Sequence, residues 1–273
     1  MIAPTATSVS PELAPNTGVA ELRADRVSRH FGGLKAVQDF SLSVRTGELV
    51  GLIGPNGAGK TTAFNVITGV YPPTSGTVAL DGRRIDSLAP ADINRAGIAR
   101  TFQNIRLFQG LTVLENVIVG FHRPGELNLW GTVLRTPRFI RERRRAEADG
   151  VELLDTLRLA DKAAHRAGAL PYGDQRRLEI ARALATNPKI LLLDEPAAGM
   201  NPQEKVGLME LIRFIRERFN LGILLIEHDM KLVMSICQRI TVLDHGETIC
   251  CGSPQQVQCD EKVIEAYLGE PAH

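Results

Sequence analysis

Between residues 49 and 62 the chain passes from a short apolar stretch into a glycine-rich loop and on into a helix-forming segment, and few folds accommodate that succession. Leu49-Val50-Gly51-Leu52-Ile53 reads as a strand, and Gly54-Pro55-Asn56-Gly57-Ala58-Gly59-Lys60-Thr61 follows without a break. This is the strand–loop–helix context in which a loop wraps the phosphates of a nucleotide. Glycines at 54, 57 and 59 let the backbone take positive φ, so that successive N–H groups converge on anionic oxygens. Lys60 brings a positive charge to the β- and γ-phosphates, and Thr61, with Thr62 beside it, offers a hydroxyl to Mg2+. The helix after Lys60 points its partly positive N-terminus at the same phosphates.

A second element gives the loop a chemical partner. Ile190-Leu191-Leu192-Leu193 is a continuous apolar run that ends in Asp194-Glu195. A buried parallel strand is apolar throughout, and ligands gather at the carboxyl ends of such strands. Asp194 suits a Mg2+-holding role, through water. Glu195 is then placed to orient or deprotonate an attacking water.

The wider chain frames these motifs. With 273 residues it can bury a large core, and its net charge of +1 gives no global field that would favour nucleic acid. No apolar run approaches the roughly 20 residues of a membrane-spanning helix, so a membrane role is expected through a partner. The start lacks the charged and apolar regions of a signal peptide. Residues 1–20, with Pro4, Pro11 and Pro15, are expected to form a disordered extension. The four cysteines, Cys237, Cys250, Cys251 and Cys259, match no common zinc spacing and are expected as reduced thiols.

Residues 21–104 form the first part of an α/β core. Alternation between 22 and 47 predicts antiparallel strands, and Thr77 to Leu80 followed by Asp81-Gly82 predicts a strand and a tight turn. Residues 105–174 change character, with helical stretches broken at Pro124-Gly125 and Pro137, and read as an inserted helical subdomain. Its arginines at 135, 138, 141, 143, 144 and 145 read as a solvated helix face, with lipid headgroups or a partner as the alternative. Residues 175–252 return to the α/β rhythm, with helix from Gln175 to Ala185, strand to Leu193, helix from Val206 to Phe219 and strand from Leu221 to Ile226. Residues 253–273 supply a C-terminal helix and tail. The expected fold is α/β, a mostly parallel sheet with an N-terminal antiparallel β subdomain and a helical insertion.

With the loop and Asp194-Glu195 in place, the chain resembles the ATP-binding subunit of an ABC transporter, over roughly residues 22–269. The resemblance implies a P-loop NTPase of RecA-like type that binds ATP with Mg2+. Thr101-Phe102-Gln103-Asn104 resembles the family's Q-loop, implying that Gln103 senses Mg2+ and the attacking water. Ile226-Glu227-His228-Asp229 resembles the switch, implying that His228 bonds the γ-phosphate. Phe31 stands where the family stacks an aromatic on adenine. Leu170-Pro171-Tyr172-Gly173-Asp174 corresponds to the signature, usually Leu-Ser-Gly-Gly-Gln, which contacts the γ-phosphate held by an opposite subunit. Here Gly173 is retained, Pro171 supplies neither hydroxyl nor N–H, and Asp174 adds a negative charge. Asn201 takes the place of the D-loop aspartate, and Leu107 and Phe108 stand where membrane-subunit helices dock.

Several stretches resemble one subgroup, the ATP-binding subunits of branched-chain amino acid importers. They are Phe31 to Val37, Leu170 to Leu184, Glu195 to Gly199, Glu227 to Met234 and Ala266-Tyr267-Leu268-Gly269. The subgroup implies integral membrane permease subunits, a second ATP-binding subunit, a periplasmic solute-binding protein acting indirectly, and a peripheral place on the cytoplasmic face of the inner membrane, with no nucleic acid partner. Import of urea or amides and export of lipid use similar subunits. A soluble ABC-type ATPase and a non-catalytic nucleotide-binding regulator are the further alternatives.

Overall fold

Alternation of apolar and polar residues produces two long strands at the start of the described chain, which in this computed structural model comprises residues 15–121 and 137–268. β1 (Glu21–Phe31) and β2 (Leu34–Arg45) pair antiparallel from Glu21↔Arg45 to Phe31↔Leu34. The period of two sends Leu22, Ala24, Phe40, Leu42 and Val44 into the core. β3 (Leu49–Ile53), buried at every position, leads into the glycine loop and α1 (Lys60–Ile67). β4 (Ser75–Leu80) and the two-residue β5 (Arg83–Arg84) flank Asp81 and Gly82, both at positive φ, as a primed hairpin turn requires. These strands make a four-stranded sheet in the order β2-β1-β4-β5. α2 (Pro90–Ala96) and β6 (Ile98–Arg100) complete this stretch.

α3 (Val113–Phe121), α4 (Pro137–Thr156) and α5 (Tyr172–Leu184) then follow. The α/β alternation resumes with β7 (Ile190–Asp194), α6 (Pro202–Phe219), β8 (Gly222–Ile226) and α7 (Met230–Ile236). The chain closes with β9 (Arg239–Asp244), β10 (Glu247–Gly252), α8 (Pro254–Gln258) and α9 (Glu261–Leu268). A six-stranded sheet runs β10-β9-β3-β8-β7-β6. Its pairs are parallel except β10 with β9. β3, β7 and β8 are buried along their whole length, as strands covered on both faces must be. One core joins Leu22, Phe40 and Val78 of the antiparallel sheet, Phe64 and Ile67 of α1, and Leu52, Leu192 and Leu224 of the parallel sheet. The expected α/β fold, with an antiparallel β subdomain and a helical insertion, is the one observed.

The described residues divide into two compact units, one of residues 17–106 and 188–268 and one of residues 15–16, 107–121 and 137–187. The helical unit thus runs past the expected boundary at Asp174, because α5 packs against α3 and α4 rather than opening the second part of the core. α5 also begins at Tyr172 rather than Gln175, with Pro171 as its N-cap. The expected extension to residue 20 is shorter in its described part. Ala20 is buried and exchanges hydrogen bonds with Thr46. Residues 1–14, Pro124-Gly125 and Arg135 lie outside the described residues. Arg141, Arg143, Arg144 and Arg145 are exposed on α4, where Arg143 pairs with Glu147 and Arg145 with Asp149 one turn on. The four cysteines are free, and burial pushes the Cys237 thiol up to about 12.

Candidate functional site

The glycine loop is fixed by contacts that no side chain would tolerate. Gly54 has φ +151°, and a Cβ there would stand 2.0 Å from the Leu243 carbonyl oxygen. Gly59 has φ +99°, and its Cβ would meet the Ala36 carbonyl oxygen at 2.4 Å. Between them, Pro55, Asn56, Gly57 and Ala58 form the crest, where Ala58 N–H bonds Pro55 O and Ala58 O accepts from Gly246 in the β9–β10 turn. α1 starts at Lys60 with no side chain capping it, so its first N–H groups remain available to an anion. Lys60 is buried and donates through Nζ to Gly54 O (2.7 Å) and Pro55 O (2.8 Å). Burial holds its ammonium below the ordinary lysine range, against the pull of Glu195 and Asp194. Thr61 is exposed and Thr62 half-buried.

Asp194 ends β7 in a buried position, and Glu195 follows with φ +45°. A left-handed glutamate is uncommon, and such strain persists only where the surroundings hold it. Here the Glu195 N–H donates to Ile226 O at 2.9 Å. Its carboxylate receives Gln103 Nε2 at 2.8 Å and lies 3.7 Å from His228 Nδ1. Gln103 and His228 are themselves exposed, while Glu195 is half-buried. The expected catalytic trio of Glu195, Gln103 and His228 is therefore brought to one point, next to Lys60 and Asp194.

Further polar residues frame this point: Arg100 and Lys205 belong to no sequence motif, and Glu227 lies within the switch stretch without an assigned role. Arg100 pairs with Asp194 at 2.7 Å. Glu227, 1% exposed, accepts the Ala197 N–H at 2.7 Å and lies 3.3 Å from the His228 N–H. Burial raises its carboxyl above the usual range, opposed by those N–H groups. Lys205 bridges to Asp229 at 2.7 Å, and Asp229 caps α7 through the Leu232 N–H. Asn201 is the N-cap of α6, in a reciprocal capping box with Glu204.

Phe31 lies at the end of β1 and is partly exposed. Tyr71 packs edge-on against it at 5.2 Å, and the Arg29 guanidinium stands 4.6 Å from its ring centre. Its immediate neighbours are thus Tyr71 and Arg29, a platform on which a purine can stack.

Gly173 belongs to the helical unit, half-buried in the first turn of α5. Pro171 as N-cap leaves that helix end without a side-chain acceptor. Asp174 is not an uncompensated charge there: Lys162 Nζ bonds it at 2.5 Å, and Arg177 lies at 3.8 Å. The start of α5 is further held by the fully buried Arg176, which pairs with Glu179 (2.7 Å) and donates to the Tyr172 hydroxyl (3.3 Å).

Comparison with known proteins places the whole chain among its relatives. Residues 37–198 match the ABC transporter family, and residues 247–273 match a second pattern described as branched-chain amino acid ATP-binding cassette transporter. A high-affinity branched-chain amino acid transport ATP-binding protein, LivG of Salmonella typhimurium, is 48% identical over 91% of this chain and 98% of its own length. BraF of Pseudomonas aeruginosa, described in the same words, is 47% identical with the same coverage. A lipopolysaccharide export ATP-binding protein, LptB of Haemophilus influenzae, is 36% identical over 91% of this chain and 97% of its own. The solved ADP conformation of an ATP-binding cassette of an ABC transporter superposes with a TM-score of 0.80 at 33% identity, covering 92% of this chain and 99% of that one. A family model over more than half of the chain and relatives nearly half identical along almost their full length lead to one conclusion: the chain belongs to the ABC transporter family of ATP-binding cassettes.

Proposed function

We propose that this protein is the ATP-hydrolysing subunit of an importer for branched-chain or similar amino acids. The observation that carries the reading is Glu195, held by Gln103 and facing His228 beside Lys60. The N–H groups of residues 54–62 and the Lys60 ammonium bind the phosphates of ATP, and Phe31 stacks on the adenine. Glu195 orients a water and takes its proton as the water attacks the γ-phosphate, a contribution of about 10²–10⁴ in rate. Gln103 fixes the rotamer of Glu195, and His228 donates to the γ-phosphate.

The donors around this point fit magnesium. The Thr61 hydroxyl, the Gln103 amide oxygen and the Asp194 carboxylate are hard oxygen ligands, and one carboxylate suits an ion shared with substrate phosphates. When bound, the ion would supply positive charge that offsets the negative charge of the phosphates. The residues' own part is to hold those donors still.

Gly173 and the start of α5 contribute the trans contact, meeting the nucleotide of a second ATP-binding subunit. Lys162 neutralises Asp174, so that this helix end keeps its attraction for an anion. ATP at both sites favours the closed pair by the contacts that only closure makes. No helix among the described residues is long and apolar enough to cross a membrane, so integral permease subunits carry the solute. Phe108, half exposed, is on the surface offered to them. The protein works at the cytoplasmic face, with a periplasmic binding protein delivering the solute. Greater identity to LivG and BraF than to LptB favours amino acid import over lipid export.

Co-purification with the membrane subunits, followed by uptake in proteoliposomes, tests the reading. ATP-dependent uptake of leucine, isoleucine or valine that Glu195→Gln abolishes is expected. A complex that transports none of them would overturn the assigned solute, and a chain that joins no permease would overturn transport.

A further inference from the structure

Arg100 stands at the centre of the nucleotide site although no motif contains it. Both it and Asp194 have side chains less than a tenth exposed, and its Nη2 donates to Asp194 Oδ2 at 2.7 Å. Its other terminal nitrogen, Nη1, donates to Asn65 Oδ1 at 2.7 Å and to Thr68 Oγ1 at 3.2 Å. Asn65 lies within α1 and Thr68 is its C-cap, so the far end of the loop's own helix is tied in. The guanidinium also lies over the rings of Phe64 and Phe102, at 5.4 and 5.3 Å. Arg100 itself ends β6, three residues before Gln103. One planar group therefore fastens three pieces: the strand end that carries Asp194, the helix that follows the phosphate loop, and the segment leading to Gln103.

The charge arithmetic says why an arginine stands there. A buried carboxylate needs a fixed counter-charge, and a planar guanidinium can hold Asp194 with one terminal nitrogen and α1 with the other, which a lysine cannot. Lys60 also feels the Asp194 charge, and its task is to meet phosphates. If Lys60 alone balanced Asp194, it would be drawn away from that task. Arg100 takes the balancing role and leaves Lys60 to the nucleotide.

We propose that Arg100 is a positioning residue for the metal–nucleotide complex: it fixes Asp194 and α1 in one register so that magnesium and phosphate are met together. The proposal rests on the reading of Asp194 as a magnesium-holding residue. Partners one step behind a metal ligand change metal affinity by roughly 10–100-fold when removed.

The test measures binding rather than turnover. ATP affinity of the purified chain is titrated in magnesium and in EDTA for wild type, Arg100→Met, Asp194→Asn and the double variant. Arg100→Met is expected to lose about 10–100-fold of magnesium affinity in the ATP complex while its affinity in EDTA stays near wild type. In the double variant, Arg100→Met is expected to add nothing to Asp194→Asn. Arg100→Lys, which keeps the charge but has a single nitrogen to share between Asp194 and Asn65, is expected to fall between, and it carries the test if Arg100→Met does not fold. An unchanged magnesium increment, an equal loss in EDTA, or additive losses in the double variant would overturn the proposal and reduce Arg100 to a brace of the fold. Wild-type protein that binds no ATP in either medium would overturn the nucleotide reading itself, a result distinct from all of these.

Discussion

Glu227 offers a measurement in which burial, hydrogen bonding and pH can be separated. Its carboxyl is 1% exposed, and it accepts the buried Ala197 N–H at 2.7 Å. Burial raises its pKa above the ordinary 4.5. The unfolded chain therefore releases this proton at about 4.5, while the folded chain keeps it to higher pH. Within that window the folded state binds more protons, so stability falls as pH rises, by at most about 1.4 kcal/mol per pH unit. Glutamine does not titrate, yet it keeps an acceptor for Ala197. The stability of Glu227→Gln minus that of wild type should be flat below pH 4.5, climb through the window, and level off above the folded-state pKa. Glu227→Ala is different in kind. It leaves the Ala197 N–H unpaired at a cost of about 1–3 kcal/mol, to which the cavity adds, at every pH. Urea unfolding followed by circular dichroism across the pH range reads all three proteins, and titrations common to them cancel in the differences. A Glu227→Gln difference that does not change with pH would refute the reasoning. So would a Glu227→Ala protein as stable as Glu227→Gln.

Three further outcomes follow from other parts of the structure. Gly54→Ala places a methyl 2.0 Å from the Leu243 oxygen at φ +151°, so a thermal scan should show a lowered midpoint, and ATP affinity should fall with it; a wild-type midpoint would contradict the loop geometry. Gly173→Leu should leave ATP binding by the isolated chain intact but abolish hydrolysis by the assembled pair, and undiminished turnover would remove Gly173 from the trans site. Lys162→Met should lower turnover of the assembled pair by exposing the Asp174 charge, and Asp174→Asn in the same protein should restore it; no restoration would mean that Lys162 acts in some other way.

What the sequence disclosed depended on the range of the interaction concerned. The phosphate loop was legible because glycines at 54 and 59 answer to local backbone geometry, and their spacing is a fixed property of the turn. β3, β7 and β8 were legible because a strand covered on both faces must be apolar throughout. Arg100 was not, since its partner lies 94 positions away and periodicity says nothing about which charge meets which. β6 is only three residues long and ends in that arginine, too short for any pattern to emerge. The β9–β10 hairpin turns at His245-Gly246, both at positive φ, and histidine is a less familiar turn residue than asparagine or aspartate. At α5, Pro171-Tyr172-Gly173 looks unlike a helix start, yet proline removes no needed N–H at an N-cap, and the helix begins at once. The compensation of Asp174 by Lys162 likewise required the fold, because Lys162 lies in a separate helical turn.

The central claim is that Glu195 prepares the water that splits ATP. Its most direct test is Glu195→Gln in the assembled transporter, with ATP affinity and phosphate release measured on one preparation. ATP binding as tight as wild type, with release slowed by about 10²–10⁴, is the result expected of a lost general base. Phosphate release at the wild-type rate would contradict it.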